Sequence, residues 1–288
     1  MMDCHDPDGI ASDPGRTEAA GGPLLLRPVR AIVNDVRQLH RFRFVLSNFV
    51  TSQLKVRYQR SILGFLWTLL NPILMMTILT LVFSQVMNIP IREYAIYLFS
   101  GMIPWQFFAA SVANASRSLI NQEYLIRKVS VQKLVFPLAD VLVSTVNMCF
   151  AMLALFILLQ FFSPDLHVQL VLIVPGTIML LTFGFGVSLL AMTAVTRFRD
   201  FEHMIGVFLQ AFYFACPILY LPEMVGRYRW LLDLNPMTHL LAFFQAAFYY
   251  GAWPTSGTWA MAALSAGGSL ALGYILYKRY EDEYIFLL

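Results

Sequence analysis

The side chains of this 288-residue sequence that could do covalent or metal chemistry are few and poorly spaced for it. His5, His40, His167, His203 and His239 show neither the HExxH pattern nor any other paired spacing, so no metal site is expected. Cys4, Cys149 and Cys216 are odd in number and far apart, which gives no disulfide framework and no CxxC motif. A phosphate-cradling loop of the form GxxxxGK followed by Ser or Thr is absent, so the chain has no recognisable means of hydrolysing ATP and no cofactor of its own is expected. Gly184-Phe185-Gly186 lies inside an apolar run and makes a weak nucleotide loop. Asp140 falls where a helix begins, a position that favours a carboxylate. Asp200 and Glu202 sit beside Arg197, Arg199 and His203, most simply as a solvated charge cluster. A transferase would want carboxylates or histidines gathered at one face, and that gathering is missing.

What remains is aromatic and neutral polar. Aromatics make up 15% of the chain. Trp67, Trp105, Phe107, Phe108, Phe212, Tyr213, Phe243, Phe244, Tyr249 and Tyr250 concentrate near the ends of apolar runs. Such rings either anchor at a membrane interface or line a path, where stacking on sugars is broad and tolerant of register. Gln106, Asn114, Asn147 and Gln210 offer hydrogen bonds to hydroxyl groups or to neighbouring helices.

The elements that hold these residues follow from composition. The chain is 58% hydrophobic and 13% charged, with a mean hydropathy of +0.64. A soluble domain of this size cannot bury that much apolar surface, and a bilayer can. The formal charge of +3 is too small to argue for nucleic acid. A spanning helix needs about 20 apolar residues, and the charge-free windows predict six spans at 62–86, 94–116, 138–162, 168–195, 204–222 and 258–277. The apolar piece 237–250, cut off by Gly251, Pro254 and Gly257, would reach only about 21 Å as a helix and is predicted to be re-entrant. With the N-terminus inside, seventeen Lys and Arg fall on the cytoplasmic side against Arg92, Arg227 and Arg229 outside. That is a strong positive-inside bias. A seventh span would weaken it to fifteen against five. Both termini are therefore expected in the cytoplasm, with residues 61–288 forming the transmembrane domain.

The flanking segments have their own patterns. Residues 1–32 read as a disordered cytoplasmic tail, since the first 22 are acidic, rich in Gly and Pro, and lack a signal-peptide core. In 33–60, Leu39, Phe42, Leu46, Phe49 and Val50 recur at three- and four-residue steps among six basic residues. This predicts an amphipathic helix on the membrane surface; a plain basic flank is the simpler alternative. In the longest inner loop, Leu125, Val129 and Leu134 with Arg127, Lys128 and Lys133 predict a short basic helix stopped before Pro137, or else a solvated linker.

Three segments resemble one family. KVRYQRSILGFLWTLLNPIL (Lys55–Leu74), GMIPWQFFAASVANASRSLINQEYLIRKV (Gly101–Val129) and LNPMTHLLAFFQAAFYYG resemble, in this order, the permease subunits of ABC exporters for lipid-linked polysaccharides of the O-antigen, capsule and teichoic-acid type. The likeness runs from about Phe44 to the C-terminus. It implies an all-α half-transporter of the cytoplasmic (inner) membrane, paired as a homodimer with two copies of a separate ATPase that carries the ATP and Mg. It further implies a coupling helix within Asn121–Phe136, with Tyr124, Leu125, Arg127, Lys128, Val131 and Lys133 as contact residues. Gate helices would lie in the LNPMTH segment, and Arg57, Arg60 and Arg117 would meet lipid headgroups on the cytoplasmic side. The family commonly follows this LIxKV motif with an aromatic-Pro-basic turn. Here Ser130-Val131-Gln132-Lys133 follows, which implies a coupling helix that is longer or differently seated. An exporter of a drug or another lipid, and a membrane-bound transferase, are the competing readings.

Overall fold

A left-handed asparagine sets the first tight corner of the bundle. The helix Leu66–Met87 ends where Asn88 adopts φ 52° and the Ile89 N–H reaches back to the Ser84 carbonyl at 3.2 Å. Asn tolerates that conformation better than most residues. Pro90 then opens the next helix, Ile91–Ser116, where its missing N–H costs nothing. The computed structural model describes residues 35, 37–58, 66–129, 131–162 and 168–287. Residues 1–41 form one unit, of which 35 and 37–41 are described and helical; residues 42–288 form the other. The predicted tail 1–32 lies outside the described residues, as do 33, 34, 36, Gln59 and Arg60 of the predicted surface helix.

All secondary structure among the described residues of the second unit is helical. In chain order the helices are α1 (Arg43–Tyr58), α2 (Leu66–Met87), α3 (Ile91–Ser116), α4 (Ser118–Asn121), α5 (Glu123–Lys128) and α6 (Val135–Phe162). They continue as α7 (Ile173–Arg197), α8 (Phe201–Phe214), α9 (Arg229–Leu234), α10 (Pro236–Gln245), α11 (Ser256–Tyr280) and α12 (Tyr284–Leu287). A 3₁₀ turn, Val168–Leu172, leads into α7, and a π turn, Ala246–Tyr250, extends α10. Four helical stretches among the described residues are long and apolar enough to cross a membrane: Ile91–Ser116, Val135–Ile157, Val168–Arg197 and Ser256–Tyr280. They match the predicted spans 94–116, 138–162, 168–195 and 258–277. The predicted span 62–86 corresponds to α2, within which Ile73–Met87 is a shorter apolar stretch.

The predicted span 204–222 differs from what forms. Its helix stops at Phe214 after 14 residues, and Ala215–Leu221 is not helical. Pro217 is the cause, because proline clashes with the preceding turn and has no N–H to continue the ladder. A second difference lies in the inner loop, where the basic helix is only Glu123–Lys128 and ends at the extended Val129 (φ −131°, ψ 132°). Pro137 does not stop it. Pro137 sits instead in the first turn of α6, where no intrahelical donor is needed.

The axis of the bundle is α3, with 78% of its most apolar window buried, against 17% for α11. Helices α2, α6, α7, α8 and α10 all pack on α3. The outer faces of α6, α7 and α11 leave Leu153, Ile157, Val174, Ile178, Leu264 and Ile275 exposed, as a bilayer-facing surface requires. Helices α7 and α11 approach backbone to backbone. A Cβ on Gly186 would run into the Ser269 and Leu270 backbone, and one on Gly273 would meet the Gly186 carbonyl oxygen. The Ser269 hydroxyl adds a cross-helix bond to the Phe183 carbonyl at 3.3 Å. Without a hydrophobic drive between helices in lipid, such small-residue contact is what holds them. Helix α1 lies along the start of α6, its Phe49 ring meeting Phe136 edge-on at 5.4 Å while Phe44 faces outward.

Candidate functional site

The break after α8 frees backbone carbonyls, and side chains from other helices take them up. Tyr97 places its hydroxyl 2.8 Å from the Pro217 carbonyl oxygen and 2.7 Å from that of Tyr220. Tyr94 donates to the Leu219 carbonyl at 2.7 Å, and Gln245 donates a second bond to Pro217 at 2.8 Å. Asn235 donates to the Ala215 carbonyl at 3.0 Å while its own oxygen caps α10 by accepting from the Met237 N–H. Irregular backbone at membrane depth is tolerated only when protein or water satisfies it, and here four side chains do so. Gly101 permits this approach, since a Cβ there would lie 3.3 Å from the Gln245 amide nitrogen. None of Tyr94, Tyr97, Asn235 or Gln245 was singled out by sequence reasoning. The available signal was a proline late in a span together with tyrosines and an amide on otherwise apolar helices.

The predicted path aromatics divide into two groups. Trp105, Phe107, Phe108, Phe243 and Phe244 are buried in the interior. Trp105 contacts Phe108, Phe212 and Tyr213 at ring separations of 5.6, 5.6 and 5.7 Å, and Phe108 stacks on Phe183. Phe243 meets Trp259 edge-on at 4.7 Å and also sits against Gly176, whose added Cβ would lie 2.8 Å away. Tyr249 and Tyr250 are different. They touch each other and both reach the Tyr97 ring, and Tyr250 is 42% exposed. The side chain of Trp67 lies outside the described residues. Gly251, at φ 59°, closes the π turn and ends this short apolar element.

The other end of α3 carries the charges. Helix α5 has no buried residue, and Tyr124 on it is 71% exposed. Lys128 lies 4.0 Å above the Tyr124 ring and bonds its hydroxyl, and Arg127 pairs with Glu123 at 2.9 Å. Of the predicted coupling residues, Tyr124, Leu125, Arg127 and Lys128 are on this helix. Val131 and Lys133 are beyond it, and Ser130 is outside the described residues. Lys133 turns inward, donating to the Glu281 carbonyl and approaching the Tyr284 ring at 5.8 Å. Burial lowers its ammonium below the usual lysine value, against a raising pull from Glu281 and Asp282. The Tyr284 hydroxyl meets Thr193 at 2.8 Å, and burial pushes that phenol up to about 12. Arg197 pairs with Glu283 at 3.7 Å and lies 4.7 Å from the Tyr280 ring. The C-terminal turn thus ties the loop after α5 to the end of α7. Sequence reasoning missed it, although the acidic run Glu281-Asp282-Glu283 was the signal.

Of the predicted headgroup residues, Arg60 and the Arg57 side chain lie outside the described residues. Arg117 pairs with Glu202 at 3.0 Å, so the predicted cluster in the α7–α8 loop is bridged to the end of α3. Beside Arg117 is a cavity of about 790 Å³ between α1, the end of α3, α4 and the start of α6. Asp140, one of its wall residues, accepts from Gln53 at 2.7 Å. Among the described residues there is no group of His, Cys, Asp and Glu able to hold a metal.

Comparison with known proteins agrees with this architecture. Residues 46–249 match the family described as ABC-2 type transporter. The O-antigen export system permease protein RfbA of Myxococcus xanthus is 31% identical over 87% of this chain and 98% of its own length. The protein of the same name from Klebsiella pneumoniae is 31% identical over 69% of this chain and 77% of its own. The polysialic acid transport protein KpsM of Escherichia coli is 23% identical over 80% and 91%.

Proposed function

The chain belongs to the ABC-2 type transporter family, and from that premise we propose that it is the channel-forming half of an exporter moving a lipid-linked polysaccharide across the cytoplasmic membrane. The observation that carries this reading is the correspondence with an O-antigen export permease along nearly that protein's whole length. Two copies form the channel in this reading, which the burial of Trp105, Phe108 and Phe243 inside one protomer supports. In this arrangement α2 and the α8–Leu221 segment complete six spans. The element from Pro236 to Tyr250 enters and leaves on the outer side, and both termini are cytoplasmic, as the distribution of Lys and Arg favours.

Energy comes from a partner ATPase, present in two copies and holding ATP and Mg, seated against α5. The exposed Tyr124, Arg127 and Lys128 suit that role because none of the described residues buries them. Arg57 and Arg60 supply cations at the membrane surface for the phosphate of the lipid carrier. Tyr249 and Tyr250 offer ring faces where the polymer emerges, while the buried aromatics serve packing. Neutral, weakly binding contacts suit a sliding polymer, because a tight site would stall it.

The test is deletion in the host. Loss of surface polysaccharide with lipid-linked polymer accumulating inside, restored by this chain, is the expected result. Unchanged surface polysaccharide would overturn the reading.

A further inference from the structure

The cavity beside Arg117 has a chemistry that the transport reading leaves unused. Its volume of about 790 Å³ lies within the range of small-molecule sites, about 300–1,000 Å³. Its walls present amides from Gln53, Asn114 and Asn121, the carboxylate of Asp140, and the aromatic pair Phe49 and Phe136. Ser118 borders it too, but its hydroxyl is buried behind the wall and does not open into the cavity.

Charge decides what kind of occupant. Arg117, the one cation among the described lining residues, is already paired with Glu202 at 3.0 Å. Asp140 adds a carboxylate to the lining, so a phosphate or diphosphate would sit near a like charge. A cation would in turn face Arg117. Gln53 engages one Asp140 oxygen, and a carboxylate offers about four lone-pair sites, so Asp140 can still accept from hydroxyl groups. Amides that both donate and accept, a carboxylate that accepts, and aromatic edges together suit an uncharged, hydroxyl-rich ring.

We propose that this cavity is a subsite for an uncharged sugar residue of the exported polymer. The proposal rests on the polysaccharide reading above. The site selects the polymer by its sugars on the side where the ATPase acts.

The experiment uses the full chain in lipid nanodiscs and saturation-transfer NMR with three probes: methyl α-mannoside, methyl N-acetyl-β-glucosaminide and inorganic pyrophosphate. At least one glycoside should bind, without competition from pyrophosphate. Asn114→Leu should weaken that binding at least about tenfold, the equivalent of one lost pair of hydrogen bonds. Asn121→Leu changes an exposed wall residue, so it should weaken binding while leaving thermal stability intact. Failure of both glycosides to bind, equal binding by Asn114→Leu, or displacement by pyrophosphate would overturn the subsite. If deletion of the chain abolishes surface polysaccharide while neither glycoside binds, the subsite alone falls; if surface polysaccharide survives deletion, the transport reading falls.

Discussion

The two ends of α3 are held by different physics. At the Tyr94 end, neutral hydroxyls and amides donate to buried carbonyls of the Ala215–Leu221 turn, and rings pack around them. At the Arg117 end, the contacts are ion pairs with half-exposed partners, such as Arg117–Glu202 and Arg197–Glu283. A buried acceptor stripped of its donor loses the full desolvation cost, about 1–3 kcal/mol. An exposed ion pair contributes about 0–1 kcal/mol and is weakened by salt. The comparison teaches that one end is built as a fixed frame and the other as a surface that can rearrange.

The strongest attempt to break that contrast is to unclamp the turn. Tyr97→Phe with Gln245→Leu leaves the Pro217 carbonyl without either of its donors. Two lost buried bonds should cost about 2–6 kcal/mol, enough to reduce the inserted, monodisperse protein to a small fraction of wild type in detergent. The check is size-exclusion chromatography with thermal unfolding. A double variant as stable as the parent would show that the turn is not held by these groups.

A smaller effect is expected from Tyr284→Phe. It removes the hydroxyl that meets Thr193 but keeps the ring beside Lys133 and Tyr277. Thr193 retains its bond to the Leu189 carbonyl at 2.8 Å, so the loss should be about 1 kcal/mol and the protein should still insert. Thermal unfolding measures it; a collapse like that of the Tyr97 variant would place the C-terminal turn with the frame. Smaller again is Glu202→Gln, which frees Arg117. The loss should be below about 1 kcal/mol and should disappear near 1 M salt, where the Debye length is about 3 Å. A salt-independent loss would mean that this pair is part of the buried scaffold.

How far the sequence foretold this follows the same division. The spans α3, α6, α7 and α11 were readable because a charge-free window of spanning length has few other uses. The end of α8 was not, because the consequence of Pro217 depends on Tyr94, Tyr97 and Gln245 arriving from other helices. Pro137 was misread as a stop, since the residue pattern alone does not separate a terminating proline from one in a first turn. A short basic helix was expected within Asn121–Phe136 and α5 forms there, but Lys133 was grouped with Arg127 and Lys128 because basic residues in one loop look alike. Its partner, Glu281, is 148 residues away. For the aromatics, composition announced their abundance but could not divide Phe108, buried at 1% exposure, from Tyr250 at 42%.

The smallest expected change in stability belongs to the residues given the largest role in coupling. Arg127→Ala with Lys128→Ala removes two cations from a helix that buries nothing, so thermal unfolding should be unchanged. If α5 receives the ATPase, the same variant should lose co-purification with that partner and lose export in cells. Lys133→Ala is the companion. Its side chain is engaged with Glu281 and Tyr284, so it should lower stability measurably while leaving the α5 tip, and hence ATPase binding, in place. The two variants therefore separate docking from internal support, which a combined triple substitution would confuse. Normal co-purification and export by the Arg127 and Lys128 double variant would remove α5 from the coupling role. Loss of ATPase binding by Lys133→Ala at unchanged stability would place that lysine at the interface instead.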